Sequence, residues 1–69
     1  MEINWEDGFK ISVRCDGGVA TLSANKEGML TLANHLITLA GESPGAHIHY
    51  DEYNSLEESS MELIIERIN

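Results

Sequence analysis

Asn25-Lys26-Glu27-Gly28-Met29-Leu30-Thr31-Leu32-Ala33-Asn34-His35-Leu36-Ile37-Thr38-Leu39-Ala40-Gly41 is the stretch that decides the fold. Its apolar residues recur at the 3.6-residue period of an α-helix, not at the period of two that marks a strand. Asn25 can cap the N-terminus by accepting from the free amides of the first turn. Glu27 puts a carboxylate at the positive end of the helix dipole. At about 100° per residue, Met29, Leu30, Leu32, Ala33, Leu36, Ile37, Leu39 and Ala40 share one arc about half the circumference wide. Thr31, Asn34, His35 and Thr38 take the other side. The pattern predicts a helix over Lys26–Ala40 that lays its apolar arc on a core and turns the polar arc, His35 included, away from it. Gly41 suits the position after the last turn, and Pro44 bars continuation.

On both sides of this helix the period changes to two. Phe9-Lys10-Ile11-Ser12-Val13-Arg14-Cys15 alternates apolar and polar residues, and Val19-Ala20-Thr21-Leu22-Ser23 follows it. Between them Asp16-Gly17-Gly18 is a hairpin signal, because the tight turn needs positive φ. After Ser43-Pro44-Gly45, Ala46-His47-Ile48-His49-Tyr50-Asp51 alternates again. Asn54 to Ser60 is polar and loop-like. Met61–Ile68 reads as a last strand, with a helix as the alternative its length and Glu content leave open. Glu2-Ile3-Asn4-Trp5-Glu6 is a candidate fifth strand ahead of the turn-like Asp7-Gly8. The expected fold is one α+β domain over residues 1–69. Its order is ββαββ, with a four- to five-stranded, mostly antiparallel sheet and one helix packed on one face. A single helix leaves the other sheet face open to solvent or to a partner.

Composition narrows the function. The chain has 69 residues, twelve Asp and Glu against four Lys and Arg, and one cysteine. A formal net charge of -8 opposes binding to DNA, RNA or anionic lipid, which requires clustered cations. No apolar run approaches the roughly 20 residues of a membrane-spanning helix. The acidic N-terminal segment does not resemble a signal peptide, and a lone Cys15 forms no internal disulfide, so the cytoplasm is the expected compartment. Cys15 continues the apolar face of Phe9, Ile11 and Val13 and is expected to be a small buried hydrophobe. A core this small makes a homodimer, or a partner covering apolar surface, an alternative to the stable monomer. Open sheet faces that pair would bury Ile64 and Ile68.

His47, His49 and Asp51 are the only constellation with the look of a site. At period two they project from one strand face, successive members roughly 6.7 Å apart at the backbone. Two imidazoles so placed can lean onto one zinc ion with the carboxylate as a third ligand. A small metal-binding protein is therefore one alternative; polar residues on an exposed sheet face are the simpler account. No cofactor and no enzymatic activity are expected, because nothing in the pattern buries the paired acids so as to separate their pKa values. Charge is distributed unevenly. Through Ala40 five acids stand against three bases; from Gly41 on, seven acids stand against one base. Glu42, Asp51, Glu52, Glu57, Glu58, Glu62 and Glu66 thus concentrate on the second hairpin and its loops. Such a face can steer a basic partner into contact. Trp5 and Tyr53 are candidate aromatic anchors beside it.

Asn25-Lys26-Glu27-Gly28-Met29-Leu30, Leu32-Ala33-Asn34-His35-Leu36 and Leu39-Ala40 form an N-x-E-G-L…L-A-x-H-L…L-A signature. His47-Ile48-His49-Tyr50-Asp51 and Ser59-Ser60-Met61-Glu62-Leu63-Ile64-Ile65-Glu66 continue it as H-x-H-x-D and S-x-E-L-x-I-E. Over Asn25 to Glu66 the chain resembles the small bacterial proteins grouped as the immunity protein 32 family. Met29 and Tyr50 stand where aliphatic residues are more typical. The resemblance implies a protein that protects a producing cell from its own polymorphic toxin, and it supplies no catalytic residues. Within the signature, Gly28 lets the first helical turn lie close to the sheet, and His35, one residue short of a core position, caps the rim of the helix–sheet contact. The combined expectation is a small acidic immunity-like protein that binds a basic toxin domain. Its partner-binding candidates are His47, His49, Asp51, Glu57, Glu58, Glu62 and Glu66.

Overall fold

In the computed structural model, which describes residues 1–69, strands β1 (Ile11–Asp16) and β2 (Val19–Ala24) precede helix α1 (Lys26–Ala40). Strands β3 (His47–Tyr50) and β4 (Leu63–Glu66) follow it. Each strand pair is antiparallel, with Val13 opposite Leu22 and Ile48 opposite Ile65. Gly17 and Gly18 turn the first hairpin with φ of 57° and 80°, a left-handed pair that matches the strand twist. The ββαββ order stands, and no helix is long and apolar enough to cross a membrane.

The sheet is not the single four- to five-stranded one expected. The strands form two separate two-stranded sheets. Between them runs the polar segment after β3, tied to the free edge of β1 by a few bonds. Glu57 N donates to the Ile11 carbonyl and Met61 N to the Val13 carbonyl, both at 2.8 Å, while Val13 N donates to Ser60 Oγ at 3.3 Å. Four residues on this segment span only two on β1, and Ser59 bends between them at φ 70°. A regular ladder cannot accommodate that mismatch. Residues 2–6 form no strand either. Their main chain bonds to helix side chains: Glu6 N donates to Thr31 Oγ1 at 2.9 Å, and the Asn4 carbonyl accepts from His35 Nε2 at 2.8 Å. The N-terminal segment is a strap across α1, held by polar anchors instead of a strand partner.

Those anchors correct the expected orientation of the helix. The buried positions of α1 are Gly28, Thr31, Leu32, His35 and Leu39. Only Leu32 and Leu39 of the long apolar side chains reach the core formed with Ile11, Val13, Ile48, Tyr50 and Leu56. His35 neither points away from the sheet nor caps a rim; it is fully buried. Its Nε2 donates to a carbonyl, which leaves Nδ1 as the acceptor for the Tyr50 hydroxyl at 2.8 Å. Trp5 lies edge-on to the imidazole, with ring centroids 4.5 Å apart, and closes the cluster from outside. Both ring nitrogens are satisfied, so burial of the imidazole costs little.

Gly28 fixes where the helix rests. A Cβ there would stand 2.5 Å from the Lys10 carbonyl oxygen and 3.0 Å from Ile11 Cγ1. The close approach expected of this glycine is present. Asn25 caps the helix through Oδ1, which accepts from Gly28 N at 2.8 Å and also from Lys10 N at 3.0 Å. One side chain thus ties the first helical turn to the chain entering β1. Cys15 departs from its expected burial and is exposed. Ile11 and Val13 fill the apolar face of β1, but the strand continues past the core, and Cys15 and its cross-strand neighbour Ala20 stand in solvent.

Candidate functional site

Alternation along β3 separates core from surface. Ile48 and Tyr50 point inward, and His47 and His49 point outward, both exposed. Across the ladder His47 faces Glu66 and His49 faces Ile64. The two imidazoles neighbour each other with ring centroids 5.1 Å apart. His47 Nδ1 lies 3.1 Å from the Gly45 carbonyl. Since a carbonyl only accepts, Nδ1 carries the proton and Nε2 is left for an external partner. Ile64, half exposed, is the apolar centre of this small patch.

Asp51 does not join the two histidines. Its Oδ1 accepts from Tyr53 N at 2.9 Å and Asn54 N at 3.0 Å, an Asx turn that starts the β3–β4 loop. Asn54 returns the favour, accepting from Asp51 N at 3.1 Å and donating to the His49 carbonyl at 3.3 Å. The carboxylate shapes the loop, and no set of three His, Cys, Asp or Glu groups is gathered for one metal ion.

The acids divide among three places. Glu62 and Glu66 are exposed at β4, Glu66 on the same face as His47. Glu57 and Glu58 are exposed on the segment that crosses to β1. Glu57 also borders a shallow depression of about 300 Å³ with Lys10, Ile11, Ser12, Ser23, Ala24 and Asn25. Glu52, itself exposed, accepts from Ser59 N at 3.1 Å across the loop. Of the seven candidate residues, then, His47, His49 and Glu66 share a face, and Glu62 is exposed just before β4. Glu57 and Glu58 form a second acidic site, and Asp51 serves the loop between.

The two aromatic candidates also separate. Trp5 packs against Phe9 and His35, whereas Tyr53 is 91% exposed on the loop and free to act as an anchor. A further exposed surface went unanticipated: Met29, Leu30, Leu36 and Ile37 lie on the outer side of α1. The signal for it is the width of the apolar arc. A helix resting on one core needs a stripe of somewhat over 100°, and an arc of about half the circumference has apolar surface to spare.

No curated protein and no solved structure matches the chain. A family model described as Immunity protein 32 does match, over residues 19–68, from β2 to just beyond β4.

Proposed function

The chain belongs to the immunity protein 32 family, and on that premise we propose that it neutralises a bacterial toxin by binding it directly, through the acidic surface of the β3–β4 hairpin and its loop. The observation that carries this reading is the excess of seven acids over one base from Gly41 onward, with Glu57, Glu58, Glu62 and Glu66 all exposed. Exposed carboxylates in such excess accelerate encounter with a basic surface. His47, His49 and Ile64 supply a less charged patch beside them, where a partner's side chains can be desolvated. The protein acts by occupying the toxin and not by catalysis, in the cytoplasm of the producing cell.

The experiment takes as titrant a toxin domain sought in the reading frames that flank this gene. Reversing all four glutamates to lysine should weaken binding on the order of 100-fold and flatten its dependence on salt. Unchanged affinity and an unchanged salt slope would remove the acidic surface as the site.

A further inference from the structure

The outer side of α1 carries more apolar surface than an isolated chain needs. Met29 is 51% exposed, Leu30 46%, Leu36 52% and Ile37 72%, and Ala33 and Ala40 are exposed with them. At about 100° per residue these six residues form one stripe centred on Ala33, more than a quarter-turn from the buried line of Gly28, Leu32, His35 and Leu39. Lys26 is the one charged residue within it. Glu27, Asn34 and Thr38 lie outside its edges.

The order of the stripe along the helix is palindromic. Positions 26, 29, 30, 33, 36, 37 and 40 read with the same spacing from either end. A second α1 laid antiparallel about a two-fold axis at Ala33 therefore sets Met29 on Ile37, Leu30 on Leu36 and Ala33 on itself. Lys26, Leu30, Ala33, Ile37 and Ala40 also follow the alternating four–three spacing of a helix-packing seam. Alanine at the axis permits close approach of the two backbones. Such self-complementarity is the requirement of an isologous interface.

We propose that this face of α1 joins two copies of the chain as a symmetric antiparallel homodimer. Charge favours a second copy over another occupant. In the antiparallel arrangement Lys26 falls beside the partner's last helical turn, which has no basic residue and is followed by Glu42. A cation belongs at that end of a helix. The stripe offers no carboxylate to a basic protein, whose match is the β3–β4 hairpin instead. Size fits a weak, reversible dimer. The stripe is a patch of a few hundred Å², the scale at which exposed apolar surface marks an interaction site. Doubled across the axis with its polar surround, it approaches the roughly 1,000 Å² of a specific interface. The dimer stands on the helix alone and does not depend on toxin binding.

Sedimentation equilibrium of the whole chain over a concentration series tests it. The expected result is a reversible monomer–dimer equilibrium. Ile37→Lys should weaken it at least about tenfold while leaving the circular dichroism spectrum unchanged. Ile64→Glu, on the open sheet face, should leave it intact. In a Cys15→Ser background, Ala33→Cys should give a disulfide-linked dimer on mild oxidation, and Asn34→Cys should not. A chain that is monomeric at every concentration overturns the proposal, whether or not a toxin later covers the same face. So does a dimer that Ile64→Glu breaks and Ile37→Lys does not.

Discussion

The two long faces of α1 carry polarity the wrong way round for a helix on a core. The inner face holds Gly28, Thr31 and His35 alongside Leu32 and Leu39, and it is buried. The outer face holds Met29, Leu30, Leu36 and Ile37 with Ala33 and Ala40, and it is exposed. Transfer energies alone would rotate the helix to bury the outer face. Fit and hydrogen bonding hold it where it is. Gly28 admits the Lys10 carbonyl, Thr31 takes up the Glu6 amide, and His35 spans from the Asn4 carbonyl to the Tyr50 hydroxyl. The inner face is defined by partners that only its own residues can supply. The outer face lacks such partners within the chain, and the proposed dimer would supply them.

Gly28→Leu is the most damaging way to test that contrast. Its Cβ would meet the Lys10 carbonyl oxygen at 2.5 Å, and backbone at the entry to β1 cannot step aside as a side-chain tip does. The expected loss exceeds about 3 kcal/mol, against a total stability of roughly 5 kcal/mol for a domain of this size. The corresponding enlargement on the outer face, Ala33→Leu, should stay within about 0.5 kcal/mol in the monomer. Urea unfolding of both variants at low protein concentration separates them; equal losses would mean the two faces are not distinguished by fit.

His35→Leu comes next. It keeps an apolar volume in the core but strands the Tyr50 hydroxyl and the Asn4 carbonyl, at an expected cost of about 2–3 kcal/mol. Adding Tyr50→Phe removes one stranded group, so the double variant should lose less than the sum of the singles. Additive losses in that cycle would show that the imidazole packs without needing its hydrogen bond. The same variant should release the N-terminal strap, seen as faster amide exchange at Glu6, whose acceptor is Thr31 one helical turn away.

This cluster also marks the limit of what the residues alone reveal. The helix bounds, the Asn25 cap, the Gly17-Gly18 turn and the role of Gly28 were legible because each depends on neighbours close in sequence or on a single backbone requirement. The rotation of α1 was not. His35 is bonded to residues 31 positions before it and 15 after it, and periodicity carries no information about partners that remote. Hydropathy therefore assigned the imidazole to solvent and the leucine arc to the core. The division into two sheets was hidden for a similar reason: both hairpins were visible, but their junction is an irregular segment with Ser59 in the left-handed region. At the proposed binding surface, alternation correctly placed His47 and His49 outward. It could not show that Asp51, in phase with them, would spend its carboxylate on Tyr53 and Asn54.

The mildest test confines its effect to alkaline solution and asks whether the inner face is dry. Burial pushes the Tyr50 phenol from its usual 10.0 up to about 12. The sign follows from linkage: the folded state holds the phenolic proton more tightly than the unfolded chain does. Its contribution to stability is thus complete below pH 10 and is lost as the pH rises through 12. Ionisation would also remove the proton that the hydroxyl donates to His35 Nδ1. The urea midpoint should accordingly fall more steeply above pH 10 for the natural chain than for Tyr50→Phe, which lacks the group. Every other group is common to both proteins, so the difference between the two curves isolates the phenol. Parallel curves would mean that water reaches Tyr50, and that the inner face of α1 is held by its apolar contacts rather than by a sealed hydrogen-bonded cluster.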